Sequence, residues 1–205
     1  MTDDPGSGKQ RHARDPKDIR ALSHPVRLAL LEVLAARDTA TATECAPLVG
    51  ESPQNCSFHL RTLAKHGFVE AAGREGKERP WRRVERAVWV DPTDDESGSA
   101  AGDAFDEATA IHESTRLSQW VTERRLIPRQ WRESLLFASR VAWLTPDESA
   151  KFNRDVENLL AEYDDRLSPR ADKPGDAEFV RFFGFSRLVH RPSQNTADHP
   201  KSNKE

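Results

Sequence analysis

The sequence is short of the residues that several protein classes need. Two cysteines among 205 residues cannot form a disulfide framework. No apolar run approaches the roughly 18 residues of a membrane-spanning helix, and the N-terminal stretch lacks the apolar segment of a secretory signal. We therefore expect a cytoplasmic protein without a membrane partner.

Patterns that would mark an enzyme or a metal site are also missing. No Ser/His/Asp set, glycine-rich phosphate loop or carboxylate pair stands at catalytic spacing. The 7 histidines are scattered, without neighbouring cysteines or paired carboxylates. The sequence predicts neither catalysis nor a bound metal or other cofactor. Cys45 and Cys56 lie where the helical pattern requires small apolar groups, which favours apolar filling over a redox pair.

The charge is unevenly distributed along the chain. The net charge is −3, but residues 1–90 carry 15 Lys and Arg against 12 Asp and Glu, whereas residues 91–205 carry 16 against 22. A basic first half and an acidic second half fit a DNA-facing region followed by a region that faces elsewhere.

Composition divides the chain into five parts. Residues 1–17 and 190–205 hold almost no large apolar residues and are predicted to be disordered tails. Residues 91–103 are acidic and small, as in a linker. Residues 18–90 and 104–189 remain as the folded units. The predicted fold class is mainly α with a small β component (α+β).

Three helix signals follow one another in residues 18–90. Pro25 stands at the start of an apolar helical stripe that includes Leu30 and Leu34, after a lead-in turn that ends at His24. A capping-box pattern then precedes a short helix over residues 43–49, which ends at Gly50. Ser52 followed by proline starts a longer helix that runs to about residue 66.

The longer helix has an inward and an outward face. Cys56, Leu60, Leu63 and Ala64 are expected to point into the core. Asn and Gln can pair with adenine and Arg with guanine in the major groove, and Phe can touch a thymine methyl group. The candidate DNA contacts that the face indicates are Ser52, Gln54, Asn55, Ser57, Phe58, Arg61, Thr62 and Lys65. Arg27 is expected to be an internal brace.

A predicted β-hairpin follows the longer helix. A short strand over residues 68–71 and an extended run over residues 81–89 flank a charged, glycine-bracketed turn. Its cations can contact phosphate or enter the minor groove. The candidate contacts here are Arg74, Lys77 and Arg79.

Residues 104–189 are predicted to form a small α+β module for dimerisation or effector binding. A helix over residues 104–125 is expected to pair with its symmetry mate, and a capped amphipathic helix covers residues 146–166. Residues 135–144 fit a strand or a buried helix, and residues 179–185 read as a strand. The aromatic cluster is expected to pack as a core rather than line a ligand pocket: Trp131, Phe137, Trp143, Phe179, Phe182, Phe183 and Phe185.

Two segments resemble the ArsR-type winged-helix regulators. Residues 23–31 (SHPVRLALL) are similar to the family's L-x-H-P-x-R-x-x-I-L motif, and residues 56–70 to its S-x-H-L-x-x-L-x-x-x-G-L-V motif. Residues 78–81 look like the wing of a subgroup without metal sites. The resemblance implies a symmetric dimer that binds an inverted repeat, with Ser57 and His59 at the DNA face. A Cys-x-Cys metal pair is absent, because only Cys45 stands in the corresponding region.

These observations predict a cytoplasmic, sequence-specific regulator of transcription, a dimeric repressor that binds double-stranded DNA. Two alternatives stay open at this point. The C-terminal aromatic cluster could bind an unidentified small-molecule effector, or the winged helix could serve to bind a partner protein.

Overall fold

The computed structural model describes residues 10–73, 79–84, 87–167 and 171–186. The elements in chain order are β1 (Gln10–Ala13), α1 (Pro16–Leu22), α2 (Pro25–Arg37), α3 (Ala42–Val49), α4 (Pro53–Lys65), β2 (Val69–Ala71), β3 (Trp81–Arg83), β4 (Ala87–Val90), α5 (Glu96–Glu123), α6 (Arg129–Ser134) and α7 (Pro146–Ala161), followed by a 3-10 turn (Asp164–Arg166). The protein is mainly helical with little β-structure, as predicted. Within the described residues, no helix is long and apolar enough to cross a membrane.

Helices α2, α3 and α4 begin where the sequence signals place them. His24 caps α2, and the capping box between Thr41 and Glu44 starts α3. Gly50 ends α3 in the left-handed conformation with φ of 72°, which glycine adopts without strain. Ser52 caps α4 by accepting a hydrogen bond from the Asn55 amide. The order of a long helix, a short helix and a second long helix is confirmed.

A small antiparallel sheet follows α4. Val69 in β2 pairs with Arg83 in β3, and Ala71 pairs with Trp81. A two-way backbone bridge between Ala40 and Trp81 attaches this hairpin to the segment before α3. The predicted hairpin is therefore confirmed, although the predicted second extended run divides into β3 and β4.

The prediction of a disordered tail over residues 1–17 is wrong for its second half, and residues 1–9 lie outside the described part of the chain. β1 pairs in parallel with β4, which places Ala13 in the core with 1% of its surface exposed. Asp15 and Pro16 then start α1, which buries Ile19 and Leu22. A four-residue strand and a seven-residue helix are enough to order this polar segment, because β4 and α5 supply their partners.

The predicted linker over residues 91–103 is also wrong in most of its length. α5 begins at Glu96, capped by Asp95, so the predicted helix over 104–125 starts eight residues earlier. The small residues of this stretch permit close packing: Gly98, Ala101 and Gly102 are buried. A Cβ at Gly98 would collide with Thr93, and one at Gly102 would press on the Pro92 ring. The two glycines therefore allow the backbone of α5 to approach the segment before it closely.

One hydrophobic core lies between α1, α2, α3, α4, the hairpin and the first half of α5. Its largest fully buried side chains are Phe68, Ile19, Leu22, Leu30, Leu34, Leu60, Leu63 and Val69. Cys45 and Cys56 are free thiols with no exposed surface, which confirms their apolar role. Burial raises the pKa of Cys45 to about 11, with the Cys56 and Glu44 charges adding to the rise.

The C-terminal half differs from the prediction. α7 covers residues 146–161 and starts at the predicted capping box of Thr145 and Glu148. Residues 135–144 and 179–185 form neither strand nor helix in the described chain. The predicted aromatic core is wrong as well: Trp143, Phe137 and Phe185 expose 82%, 70% and 75% of their surfaces. Too few elements meet in this half to enclose these side chains.

Candidate functional site

Helix α4, which leads into the hairpin, has an exposed face. α3 packs directly against α4, and the tight turn at Gly50 fixes the angle between the two helices. Ser52 and Pro53 begin α4 in the manner expected of a side-chain cap followed by proline. The geometry is that of a helix-turn-helix, in which the first helix braces the second.

The inward face of α4 is the predicted one. Cys56, Leu60 and Leu63 are fully buried, and Ala64 is half-buried against the same core. This spacing of three and four residues fixes the rotation of the helix about its axis. It therefore also decides which polar side chains face away from the protein.

The outward face of α4 is a continuous stripe of four exposed side chains: Gln54, Phe58, Arg61 and Lys65. They follow one another at intervals of four, three and four residues. Phe58 exposes 58% of its surface, so an apolar ring is open to solvent among these polar side chains. We call these four residues the α4 stripe. It combines an amide, an apolar ring and two cations on one side of a helix.

Polar groups beside the stripe are held by local hydrogen bonds. Asn55 is half-buried, and its amide nitrogen donates to Glu51 Oε2 at 2.8 Å. Thr62, also half-buried, donates its hydroxyl to the Phe58 carbonyl oxygen at 3.2 Å. Ser57 is half-buried and its carbonyl oxygen accepts from Arg61 Nε at 3.2 Å, while Ser52 is exposed at the helix start.

His59 lies on the wrong side of α4 for the predicted role at the DNA face. Only 5% of its surface is exposed, and its ring lies 4.4 Å from that of His24, centroid to centroid. Burial and the neighbouring His24 and Arg27 charges lower the pKa of His59. The helical repeat explains the error, because position 59 falls between the buried positions 56 and 63.

His24 and His59 tie the start of α2 to α4, and Arg27 ties it to α1. His24 Nδ1 accepts a hydrogen bond from the Val26 amide at 3.2 Å, which caps α2. Burial, then the Arg27 charge, lowers the pKa of His24, so the neutral, accepting form of the ring is favoured. Arg27 Nη2 donates to the Arg20 carbonyl oxygen at 2.9 Å, as expected of an internal brace.

Arg11, within the predicted disordered tail, and Asp18 of α1 anchor the end of α4. Arg11 Nη1 donates to the carbonyl oxygen of His66, the C-cap of α4, at 2.8 Å. Arg11 Nη2 also bonds Asp18, 2.6 Å away, and Asp18 lies 2.9 Å from His66 Nδ1. A cation at a helix C-terminus stabilises the exposed carbonyl groups. The signal that could have indicated this order was the helix start at Asp15 and Pro16.

The hairpin carries the remaining candidates. Arg79 is exposed, and its guanidinium carbon lies 5.7 Å from the centroid of the Trp81 ring. Arg74 and Lys77 lie outside the described residues. In the strands, Arg82 is paired with Glu70 at 2.8 Å, so its charge is already compensated. Arg79 is thus the described wing cation closest to the hairpin turn.

The site as a whole presents one rigid helix face and an adjoining hairpin with a cation near its turn. A helix of this kind fits the major groove of B-form DNA. The buried α4 positions and the Arg11 anchor at its end hold that face in a fixed orientation. The arrangement favours a binding role.

Comparison with known proteins agrees with this geometry. Residues 22–71 match a family model described as a helix-turn-helix domain. The matched stretch runs from the end of α1 to the end of β2. No curated protein matches the chain. The chain therefore contains a helix-turn-helix DNA-binding domain in its first half.

Proposed function

We propose that this chain is a sequence-specific transcriptional regulator of the ArsR type, a dimeric repressor that binds an inverted repeat in double-stranded DNA. The observation that carries the proposal is the α4 stripe, which is exposed on the second helix of a helix-turn-helix. The resemblance of residues 23–31 and 56–70 to ArsR-type motifs supports the choice of family.

The side chains of the α4 stripe suit the reading of base edges. Arg61 can pair with O6 and N7 of guanine, and Gln54 with N6 and N7 of adenine. Phe58 offers an apolar contact for the thymine methyl group, which accounts for its exposure. Asn55 would have to leave Glu51 before it could read a base, so Gln54 is the stronger adenine reader of the two.

Phosphate contacts supply most of the affinity in such complexes without reading the sequence. Lys65, at the end of α4, and Arg79, beside the hairpin turn, are both exposed and suit this role. Arg74 and Lys77, which stand between β2 and β3 in the sequence and lie outside the described residues, are proposed as further phosphate contacts. The hairpin would then lie beside the groove that receives α4.

A dimer follows from the size of the reading surface. One helix covers about half of a typical operator, and dimers place two such helices about one turn of DNA apart. The first half of α5 packs on α1 and α2 of the same chain. Its second half leaves Ile111, Leu117 and Val121 about half exposed, which suits pairing with the same helix of a second copy.

Fluorescence anisotropy tests the proposal. The full chain is titrated onto labelled DNA from upstream of its own coding region and onto a shuffled fragment, at several salt concentrations. We expect preferential binding to the first fragment, with log affinity falling linearly in log salt. Equal affinity for both fragments would remove the sequence-specific part of the proposal. Absence of binding to either at low salt would overturn it.

Arg61→Ala identifies what α4 reads. We expect specific binding to weaken by about 1–3 kcal/mol, with binding to the shuffled fragment changed much less. Arg129→Ala is the matched control, because Arg129 is an exposed arginine far along the chain on α6. Equal weakening of Arg61→Ala on both fragments would assign Arg61 to a phosphate.

A further inference from the structure

Three aromatic rings lie in contact from the start of α2 to the exposed face of α4. The rings of His24 and His59 are 4.4 Å apart, centroid to centroid, with 42° between their planes. The rings of His59 and Phe58 are 5.2 Å apart in a T-shaped arrangement. We call His24 and His59 the imidazole pair. Since Phe58 belongs to the α4 stripe, this pair contacts one of the side chains proposed to read DNA.

The imidazole pair fixes where α4 lies against α2. The two helices pack directly on each other, and His59 exposes only 5% of its surface. His24 Nδ1 accepts a hydrogen bond from the Val26 amide at 3.2 Å. A backbone N–H can only donate, so this nitrogen must be unprotonated for the bond to form. The same bond caps α2 and orients the ring that covers His59.

Two charged side chains act on both rings of the imidazole pair. Arg27 reaches them from α2, and its Nη2 donates to the Arg20 carbonyl oxygen of α1 at 2.9 Å. Glu51 acts from the turn before α4 and accepts a hydrogen bond from Asn55 at 2.8 Å. The Arg20 side chain itself bonds Ser97 at 3.4 Å. A proton on either ring would therefore add positive charge beside the Arg27 guanidinium, with Glu51 as the opposing charge.

Burial and these charges favour the neutral form of both rings. Burial, then the Arg27 charge, lowers the pKa of His24, and Glu51 acts against this. Burial, then the His24 and Arg27 charges, lowers the pKa of His59, again against Glu51. An arrangement in which the rings separate and meet water would return them toward the ordinary value of about 6.5. Acid therefore favours separation, because the separated rings bind more protons.

We propose that His24 and His59 are positioning residues for DNA binding and form a pH-sensitive switch, in which the neutral pair holds α4 on α2 and a proton on either ring releases it. This inference rests on the proposed function, because it concerns how the α4 stripe is presented to DNA. Release changes the orientation of Phe58 and of the stripe. Base reading is then lost, while phosphate contacts by Lys65 and Arg79 persist.

The direction of the pH effect distinguishes this role from a direct contact. A histidine that touches phosphate becomes a cation on acidification and tightens DNA binding. The imidazole pair acts through the orientation of α4, so acidification should weaken binding to a specific site. Binding to unrelated DNA depends on phosphate contacts alone and should stay the same or tighten.

Fluorescence anisotropy of the unmodified full chain measures this effect. The upstream fragment and the shuffled fragment are titrated at pH 7.5, 6.5 and 5.5 and constant ionic strength, which spans the ordinary histidine pKa. We expect the dissociation constant for the upstream fragment to rise at least about threefold from pH 7.5 to 5.5. Unchanged or tighter binding to that fragment would overturn the proposal. Equal weakening on both fragments would overturn it too.

Non-titrating variants identify the groups that respond to pH. His24→Asn keeps an acceptor for the cap of α2, and His59→Gln keeps an uncharged polar side chain. The pH dependence should shrink in each variant and disappear in the double variant. His12→Gln is the matched control and should keep it, because His12 is a histidine of β1 whose Nδ1 lies 2.7 Å from Asp91. A double variant with the full pH dependence, or a control without it, would contradict the proposal.

Hydrogen exchange of the unmodified chain without DNA gives an independent readout. After correction for the intrinsic effect of pH, protection of the α4 amides should fall from pH 7.5 to 5.5 by more than that of the first half of α5. Unchanged protection of α4 would overturn the switch. Absence of DNA binding at pH 7.5 together with this loss of protection would remove the proposed function and leave the switch in α4. Specific binding with no pH dependence would do the reverse.

Discussion

The two halves of this chain contain similar kinds of helix, but only the helices of the first half bury side chains in a core. From residue 10 to residue 112, every helix contributes buried side chains to one core. From residue 113 to residue 186, none of the described residues is buried. Both halves supply leucines and aromatic rings. Apolar residues alone therefore do not make a core, since the elements that carry them must also meet.

The two halves differ in how closely their backbone segments approach one another. Gly98 and Gly102 let α5 lie against Thr93 and Pro92, and α5 also packs on α1, so the first half closes on itself. The segment between α5 and α6 contains Pro128, and residues 135–145 between α6 and α7 form neither helix nor strand. The described C-terminal elements consequently present their apolar faces outward.

The largest expected difference between the halves is in the free energy of unfolding. Leu60→Ala removes a fully buried side chain and should destabilise the first half by about 2–5 kcal/mol. Leu159→Ala changes a side chain that is 59% exposed and should cost well under about 1 kcal/mol in dilute, monomeric protein. Urea unfolding of both variants measures this. Similar costs for the two would show that the C-terminal half is already packed in the monomer.

A smaller effect is expected where α5 crosses the segment before it. Gly98→Ala places a methyl group against Thr93 and should destabilise the protein by about 1–3 kcal/mol, even though alanine favours a helix. Gly175→Ala is the control, because a Cβ there meets nothing within 4 Å. Thermal unfolding compares the two. A stabilised Gly98→Ala variant would contradict the close packing of α5.

Removal of the side-chain cap of α2 should lower the free energy of unfolding by about 1 kcal/mol. His24→Ala removes the acceptor for the Val26 amide, and His24→Asn restores one. Because burial lowers the pKa of His24 and of His59 in the folded chain, unfolding binds protons below the ordinary value of about 6.5. Stability should therefore fall as pH falls below that value, and less steeply in His24→Asn. Thermal melts from pH 7.5 downward check both points.

The smallest effect is expected at the boundary between the halves. Glu32 Oε2 lies 3.1 Å from His112 Nε2 and 3.1 Å from Arg116 Nε, which ties α2 to α5. Burial acts to raise the pKa of Glu32, but the His112 hydrogen bond and the Arg116 charge outweigh it and hold the pKa low. Glu32→Gln should cost up to about 1 kcal/mol at neutral pH.

The pH dependence of stability in Glu32→Gln tests the contribution of the ionised Glu32 carboxylate at this boundary. A lowered folded pKa means that the ionised Glu32 stabilises the protein above its ordinary pKa of 4.5, and that this contribution is lost as pH falls through the folded value. Urea unfolding measures the free energy of unfolding at neutral pH and near pH 3.5. Between these two pH values, Glu32→Gln should lose less of that free energy than the unmodified chain. An equal loss in both would place the acid sensitivity elsewhere.

Local signals were sufficient to predict the helix-turn-helix. The capping box at Thr41, the cap at Ser52 and the stop at Gly50 are contained within a few neighbouring residues, and each acts where expected. The predictions for the polar segment at Arg11 and for the glycines at 98 and 102 are wrong for the opposite reason. Their order depends on partners far along the chain, which composition does not reveal.

The candidate site shows the same division. The stripe from Gln54 to Lys65 follows from helical spacing, so sequence predicted it. The burial of His59 depends on where α2 begins, because the His24 ring covers it. The hydrogen bond from Asn55 to Glu51 likewise depends on the angle between α3 and α4. Sequence patterns do not predict that angle.

The Arg11 anchor has a mechanical consequence for a regulator built in this way. One guanidinium connects the last carbonyl of α4 to α1, and β1 connects that same segment to β4, directly ahead of α5. α4 and α5 are thereby connected through a short path. In the proposed dimer, a tilt of α5 against the same helix of the second copy would be transmitted as a change in the separation of the two α4 helices, and so in the operator spacing that the dimer accepts.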